Sequence, residues 1–147
     1  MAVISKSALV SYSPVEMFNI VDDVDAYPQF LPWCSDAKVL SRDQDQVKAM
    51  VEINHSGIRK AFTTRNLLQS GKMIEIELVD GPFKHLHGYW RFEALAESAC
   101  KVSLDLEYEF SNKLLSMAVG PVFSHIANSL VDAFCQRAAV LHGKRSS

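Results

Sequence analysis

The stretch that most constrains the fold covers residues 113–143, which have the apolar pattern of one long amphipathic helix. Ser111 and Asn112 supply N-cap side chains before its first turn, and Gly143, which basic residues follow, indicates its end. Two adjacent rows of apolar side chains widen the apolar face beyond that of an ordinary surface helix. The first row is Leu115, Val119, Phe123, Ile126, Leu130, Phe134, Ala138 and Leu141, and the second is Met117, Val122, Ala127, Val131 and Cys135. Such a face needs a sheet, an apolar ligand or both to cover it.

Pro121 lies inside this predicted helix. A proline removes one backbone hydrogen bond and its ring crowds the preceding turn. The sequence therefore predicts a kink or a break near Gly120.

Length and composition are those of an ordinary soluble globular protein. The chain has 147 residues, 48% of them hydrophobic and 22% charged, which suits one domain over residues 1–147. We expect no membrane-spanning segment, because Ser116, Gly120 and Pro121 interrupt the longest apolar candidate, residues 114–123. The first residues lack the pattern of a signal peptide, so we expect a cytoplasmic protein.

Charge and cysteine content argue against several kinds of site. The net charge of −2 gives no general attraction to DNA or to anionic lipid. Cys34, Cys100 and Cys135 are odd in number and far apart, without a C-x-x-C pair, which disfavours a disulfide framework and a zinc site. Free thiols of this kind are typical of a reducing compartment.

The N-terminal segment predicts a strand over residues 3–12 and then a short helix. Ser13 is placed to cap that helix and Pro14 to begin it, where a missing N–H does no harm. Asp22, Asp23 and Asp25 follow, but the spacing of a calcium-binding loop is absent, so we interpret them as a solvated turn.

The next segment, residues 27–34, is the densest in aromatic residues and prolines. Two prolines restrict its backbone, and its large rings must be buried against something. We predict a rigid apolar lip that carries Tyr27, Phe30, Leu31 and Trp33.

The central part of the chain alternates with the period of two that is typical of strands. The clearest case is the final run, where Val102, Leu104 and Leu106 alternate with polar residues, which indicates an antiparallel sheet with one buried face. The sequence therefore predicts an α+β protein, in which two short helices follow the first strand and a curved antiparallel sheet of six or seven strands wraps round the long C-terminal helix. The predicted strands after the first are residues 37–42, 47–53, 58–68, 73–79, 86–95 and 100–110.

Several motifs occur in order along this pattern. They are Tyr27-Pro28-x-Phe30-Leu31-Pro32-Trp33-Cys34, Phe62-Thr63-Thr64-Arg65-Asn66, Val79-Asp80-Gly81-Pro82-Phe83 and Gly88-x-Trp90-x-Phe92. With the order of elements, they resemble the START and polyketide-cyclase superfamily, in particular its coenzyme Q-binding branch, which also includes the bacterial ribosome-association toxin. The resemblance covers about residues 7–139.

The resemblance implies a helix-grip fold that binds a hydrophobic isoprenoid lipid, most simply ubiquinone, in a cavity between sheet and helix. It implies no catalytic group and no cofactor besides that bound lipid, in a protein that supports respiratory electron transport. Its partners would be the lipid and, transiently, the surface of the inner membrane. The alternative that the same resemblance implies is a toxin that binds the large ribosomal subunit and blocks subunit joining.

Candidate catalytic residues are few. Asp80, His85 and His87 lie near a Gly-Pro turn, but no nucleophile–base spacing, paired carboxylate motif or phosphate loop accompanies them. The two histidines would share a strand face, yet no third metal ligand is evident. We therefore expect a binding protein without enzymatic activity or a metal, and we interpret Asp80-Gly81-Pro82 as a turn whose glycine supplies a special backbone angle.

Polar residues of the second motif divide between the two faces of a strand. We interpret Arg65 as the partner of Glu75 or Glu77 on the solvated face, rather than as an anchor for an anion. Thr64 and Asn66 share the parity of Phe62, so if that parity faces inward, they orient a ligand or bond the backbone. For a ribosome contact, the local basic clusters are Lys84, His85, His87, Lys113, Lys144 and Arg145.

The predicted ligand-binding residues come from the lip, the inward strand faces and the helix. Val119→Trp is expected to fill the cavity and abolish binding, and Phe123→Ala to cost less stability than it would in a packed core. The full set is Tyr27, Phe30, Leu31, Trp33, Phe62, Thr64, Ile76, Leu78, Phe83, Trp90, Phe92, Leu106, Tyr108, Phe110, Leu115, Val119, Phe123, Ile126 and Leu130.

Overall fold

The computed structural model describes residues 2–145 and contains one antiparallel sheet and three α-helices. The helices are α1 (Pro14–Asp22), α2 (Tyr27–Phe30) and α3 (Lys113–His142), with a short 3-10 turn at Val24–Ala26. The sheet order is β1-β7-β6-β5-β4-β3-β2. This is the predicted α+β architecture. The strands are β1 (Ala2–Val10), β2 (Cys34–Arg42), β3 (Gln46–His55), β4 (Ile58–Gln69), β5 (Met73–Asp80), β6 (Phe83–Ala96) and β7 (Ala99–Phe110).

The sheet is a meander from β2 to β7, with β1 added beside β7. Tight turns set its register. Between β3 and β4, Ser56 (φ 51°) and Gly57 (φ 79°) take left-handed backbone angles, and His55 then pairs with Ile58. Gly81 has a φ of 153° in the turn before β6, as the sequence predicted. The predicted inward face of β7 is buried from Val102 to Phe110.

Helix α3 crosses the concave face of this sheet. The side chain of Asn112 accepts a hydrogen bond from the backbone N–H of Leu115 at 2.9 Å, and Gly143 ends the helix. Of the predicted kink or break, the break does not occur, because the helix continues through Pro121. Pro121 cannot bond the carbonyl of Met117, but Met117 is solvent-exposed, so water can satisfy that carbonyl.

The apolar rows of α3 are not buried along their full length. Met117 and Leu141 are exposed, which corrects the prediction that both lie on the covered face. Met117 lies on the outward face of the helix, between the core-packed Leu115 and the buried Val119, and Leu141 lies in its last turn. The buried residues are Val119, Phe123, Ile126, Ala127, Val131, Phe134 and Ala138.

One helix of the described residues, α3, is long and apolar enough to cross a membrane by length and composition. The expectation that no segment reaches this threshold was wrong, because Ser116, Gly120 and Pro121 interrupt the apolar run without adding charge. In its most apolar stretch, 28% of the residues are buried inside the protein.

The aspartates after α1 have structural partners. Asp22 Oδ2 accepts a hydrogen bond from Nη1 of Arg42 at 3.0 Å, and Asp25 Oδ1 accepts one from the backbone N–H of Val39 at 3.0 Å. These bonds attach the chain between α1 and α2 to β2. The described residues contain no group of three or more His, Cys, Asp or Glu side chains that could hold a metal ion.

The end of α3 is tied to the start of α1. The hydroxyl of Tyr12 donates to the carbonyl of Gly143 at 2.8 Å, and both Arg145 nitrogens donate to the Glu16 carboxylate at 2.8 and 3.0 Å. Glu16 also completes a capping box with Ser13. The bonds from Arg145 and from the backbone of Ser13 lower the pKa of Glu16 to about 2.

Replacing Glu16 by glutamine isolates the charge of this contact, since glutamine also serves in a capping box. A carboxyl whose pKa is lowered by folding stabilises the protein above its unfolded pKa, and this contribution is lost as pH falls towards the folded value. We expect Glu16→Gln to lower the Tm by about 2–4 °C at pH 7. The difference between the two proteins should shrink between pH 5 and pH 2 in thermal scans, and a difference that does not change with pH would contradict this assignment.

Candidate functional site

An apolar cavity of about 110 Å³ lies between the concave face of the sheet and α3. Strands β3 to β7, the end of α1 and the middle of α3 contribute to its wall. The wall comes nearest to the surface at its half-buried lining residues, which are Tyr27, Val51, Phe62, Asn66, Ile76 and Leu130. This cavity is where the sequence placed the ligand.

The structure brings ten predicted site residues to the cavity wall. They are Tyr27, Trp33, Phe62, Thr64, Ile76, Trp90, Leu106, Phe123, Ile126 and Leu130. Further residues also line the wall, and the sequence assigned only some of them to a buried face. They are Val21, Val24, Ala49, Val51, Ile53, Asn66, Ile74, Leu86, Leu104, Ala127 and Phe134. Periodicity identifies their direction but not which of them border empty space.

Three predicted residues instead fill one end of the space with rings. Phe83, Tyr108 and Phe110 pack around Phe123, with ring centroids 5.0, 4.7 and 5.9 Å from its own. Phe83 and Phe110 also stack on each other at 4.9 Å. This end of the interior is therefore solid, because aromatic side chains occupy the volume that the sequence assigned to a ligand.

Six further predicted residues lie outside the cavity wall. Leu31 and Val119 are buried in packed core, and Phe92 packs on Phe18 beneath α1 at 5.7 Å. On the outer side of the lip, the guanidinium carbon of Arg137 lies 4.9 Å from the centroid of the Phe30 ring. Leu78 and Leu115 are partly buried and pack against the core. Val119→Trp therefore tests core packing and not the cavity, because Val119 has no empty space beside it to fill.

The lip of the cavity is held by ring contacts and one hydrogen bond. Tyr27 packs on Phe134 at 5.3 Å, and its hydroxyl donates to the carbonyl of Val21. Burial raises the pKa of Tyr27 above its ordinary value, so this hydroxyl stays protonated. Phe134 also packs edge-on against Trp90 at 5.2 Å. The predicted rigid lip is thus tied to both α1 and α3.

The cavity has one conspicuous polar feature, on β4. Thr64 and Asn66 both face inward, and the hydroxyl of Thr64 donates to Oδ1 of Asn66 at 2.9 Å. The alternative that these residues bond the backbone does not hold for this contact, which joins two side chains.

Cavity size limits what can be enclosed. Ligand pockets usually measure roughly 300–1,000 Å³, whereas an apolar cavity of about 150 Å³ holds a benzene ring. A cavity of about 110 Å³ therefore suits little more than one six-membered ring. A polyprenyl chain requires α3 or the lip to move outward.

The candidate catalytic residues lie away from the cavity. His87 Nε2 lies 2.8 Å from Oε2 of Glu75, and His85 Nε2 lies 3.2 Å from Oε1 of Glu107, both on the solvated side of the sheet. Asp80 is exposed at the end of β5. These groups do not converge with one another on any part of the cavity wall.

The three cysteines are free, as expected without a disulfide framework. Burial raises the pKa of the Cys34, Cys100 and Cys135 thiols to about 11. At neutral pH they are protonated and therefore weak nucleophiles.

Several of the predicted basic residues have acidic partners. Lys84 Nζ lies 3.4 Å from Glu109, and Arg145 binds Glu16. A different basic pair lies on the solvated face, where Lys48 and Arg65 are direct neighbours across β3 and β4. Arg65 also neighbours Glu77 on β5, but among the described residues no carboxylate oxygen lies within 4.0 Å of Lys48 or Arg65. The predicted pairing of Arg65 with Glu75 or Glu77 therefore does not form. Counting outward from the Ser56-Gly57 turn would have revealed the Lys48–Arg65 neighbours.

Comparison with known sequences gives consistent relatives. Residues 10–135 match the family described as polyketide cyclase / dehydrase and lipid transport. The ribosome association toxin RatA of Pseudomonas aeruginosa is 45% identical over 140 residues, covering 95% of this chain and 97% of that protein. The protein of the same name from Vibrio cholerae is 47% identical over 96% of this chain and 98% of its own length. A more distant relative, the mitochondrial coenzyme Q-binding protein COQ10 homolog B of Xenopus laevis, is 26% identical over 96% of this chain and 59% of its length.

Solved structures agree on the fold. An 18 kDa protein from Caulobacter crescentus has a TM-score of 0.75 and 31% identity, over 97% of this chain and 99% of its own. The Zhui aromatase/cyclase from Streptomyces has a TM-score of 0.82 over 93% of each chain, but only 14% identity, so it shares the fold alone.

Proposed function

The chain belongs to the polyketide cyclase / dehydrase and lipid transport family, and from this premise we propose that it associates with the ribosome, as a toxin that binds the large subunit and blocks subunit joining. The observation that carries this proposal is its identity of 45–47% with ribosome association toxins over nearly the full length of both chains. This favours the second of the two functions that the family resemblance implied. It also implies a cytoplasmic protein that acts by binding and not by catalysis.

We assign the ribosome contact to the part of the solvated sheet face that carries the Lys48–Arg65 pair. Like charges directly opposite each other on neighbouring strands destabilise a sheet. Here no carboxylate of the described residues relieves them within 4.0 Å. An anionic partner would relieve this repulsion, and ribosomal RNA presents phosphates to such a pair.

The test is sedimentation of purified protein with ribosomes in a sucrose gradient at near-physiological salt. We expect the wild-type protein to travel with large subunits and to deplete joined ribosomes. Lys48→Glu/Arg65→Glu should weaken this association by about tenfold or more, because two attractive contacts become repulsive. A protein that stays at the top of the gradient, or that sediments only at low salt, would contradict the proposal.

A matched control separates a specific contact from the change in net charge. Lys6 is exposed on β1 and Lys101 lies on β7, and these two strands form the opposite edge of the sheet from β3 and β4. Lys6→Glu/Lys101→Glu changes the net charge by the same amount. We expect this control to sediment like the wild-type protein. Equal losses in both variants would place the contact elsewhere or make it a bulk charge effect.

A second function is favoured by a separate observation, the apolar cavity between sheet and helix. We propose that it binds the ring of a hydrophobic molecule, with an isoprenoid quinone such as ubiquinone as the candidate ligand. The distant coenzyme Q-binding relative supports this ligand class. Because the cavity takes little more than one ring, an isoprenoid chain would leave it past Phe62, Ile76 and Leu130.

Extraction of protein purified from its native host, followed by mass spectrometry of the bound lipid, tests this second function. We expect an isoprenoid quinone in the extract, or uptake of added ubiquinone by protein that has been stripped of lipid. Empty protein that takes up no quinone would remove the quinone proposal and leave the ribosome proposal intact. Because the three cysteine thiols are protonated at neutral pH, they should not add covalently to a quinone. We therefore expect any uptake of quinone to be reversible.

A further inference from the structure

The polar pair on β4 sits in an otherwise apolar wall. Thr64 is only 7% exposed, and among the described residues it is the polar one that is classed as buried. Alternation along the strand turns Thr64 and Asn66 to the same side, towards the cavity. Asn66 lies between Val47 of β3 and Ile76 of β5, neither of which offers a polar side chain. Asn66 is half-buried, and polar side chains that folding withdraws from water generally have a partner.

The hydrogen bond within the pair engages the oxygen end of the Asn66 carboxamide. The Thr64 hydroxyl donates to Oδ1 of Asn66 at 2.9 Å, so the oxygen end of the amide faces Thr64. The other end of the amide, Nδ2, carries two N–H donors. Among the described residues neither of these donors has an acceptor. The cavity wall therefore presents a hydrogen-bond donor whose direction is set by Thr64.

We propose that Nδ2 of Asn66 donates to an oxygen acceptor on the ring of the cavity ligand, and that Thr64 positions it. This inference rests on the second proposed function, the binding of a ring-shaped hydrophobic molecule. It narrows the ligand class to rings that carry a carbonyl oxygen, such as ring ketones and quinones, as opposed to pure hydrocarbons. Asn66 is the specificity-determining residue and Thr64 is a positioning residue.

Two small probes of the same shape test this assignment. Acetophenone carries a carbonyl oxygen, and α-methylstyrene has a CH₂ group in its place. Each probe is titrated into wild-type protein and into Asn66→Leu, and the affinities are compared between proteins for one probe at a time. This comparison cancels the different solubilities of the two probes in water.

We expect Asn66→Leu to weaken acetophenone binding by about tenfold, the value of one neutral hydrogen bond, and to leave α-methylstyrene binding unchanged or tighter. The Asn66 side-chain amide resonances in an ¹⁵N–¹H spectrum should shift on addition of acetophenone. Retained binding of α-methylstyrene shows that the variant still folds with its cavity.

Variants of Thr64 test its positioning role. Thr64→Val removes the hydroxyl and should reduce acetophenone binding, while Thr64→Ser should restore it, because serine keeps the donor to Oδ1 of Asn66. If Thr64 has a purely structural role, each variant should change the binding of the two probes by the same factor. That result would overturn the positioning role of Thr64.

The remaining outcomes are also decisive. If Asn66→Leu changes the binding of both probes by the same factor, the donor assignment is wrong while ring binding in the cavity stands. If wild-type protein binds neither probe, the cavity-binding function fails and this inference fails with it.

Discussion

Replacing Gly88 by alanine is expected to lower the free energy of unfolding by about 3 kcal/mol or more. Gly88 lies in β6 between Ile76 of β5 and Leu106 of β7. A Cβ at this position would lie 2.5 Å from the backbone oxygen of Asp105 and 2.8 Å from Cδ1 of Leu106. The leucine side chain can turn away, but the carbonyl oxygen belongs to the backbone of β7. The variant therefore has to push two paired strands apart beside the cavity wall.

Gly57→Ala is the matched control for this prediction. Gly57 has a φ of 79°, yet a Cβ there would meet nothing within 4 Å. Gly57→Ala should lower the free energy of unfolding by about 1 kcal/mol, which is the cost of a left-handed backbone angle without a clash. Urea denaturation of both variants gives the comparison. A Gly88→Ala protein as stable as Gly57→Ala would mean that the two strands separate easily.

Replacing Phe123 by alanine is expected to lower the free energy of unfolding by about 3–5 kcal/mol, the full penalty for a buried aromatic residue. The sequence led to a smaller expected loss, on the reasoning that truncating a residue beside an existing cavity does not open a new one. In the structure Phe123 lines the cavity on one side and packs on Phe83, Tyr108 and Phe110 on another. The three ring contacts are lost in the variant, and the existing cavity only becomes larger.

Leu114→Ala is the control on the same helix. Leu114 is 80% exposed, so its truncation should change stability by less than about 0.5 kcal/mol. Chemical denaturation of the two variants at one pH provides the measurement. A loss below about 2 kcal/mol for Phe123→Ala would indicate that the aromatic cluster closes over the missing ring.

The two proposed functions use different surfaces of the molecule. The cavity opens between α3 and the concave face of the sheet, whereas Lys48 and Arg65 lie on the solvated face of β3 and β4. Variants of one surface should therefore leave the other function unchanged. The charge-reversal variant should still bind acetophenone, and Asn66→Leu should still sediment with ribosomes.

The sequence by itself determined the elements and the side of each strand that is buried. The strand from Ile58 was predicted to residue 68 and ends at Gln69, and the last helix begins at Lys113 as predicted. These features follow from local physics, because a strand repeats every two residues and a helix about every 3.6 residues. The same alternation placed Thr64, Asn66 and Phe62 on one side of their strand, and the structure shows that this side faces inward.

The tertiary structure alone decided which inward side chains border empty space. Phe83, Tyr108 and Phe110 fill one end of the interior, while Phe134, which sequence reasoning left in the core, lines the cavity. Parity gives a direction, but a cavity is the volume left after side chains from several strands and a helix have packed together. The unbroken course of α3 through Pro121 depends likewise on where the helix meets solvent. The facing charges of Lys48 and Arg65 are an intermediate case, because the Ser56-Gly57 turn sets the register that brings them together and that turn lies in the local sequence.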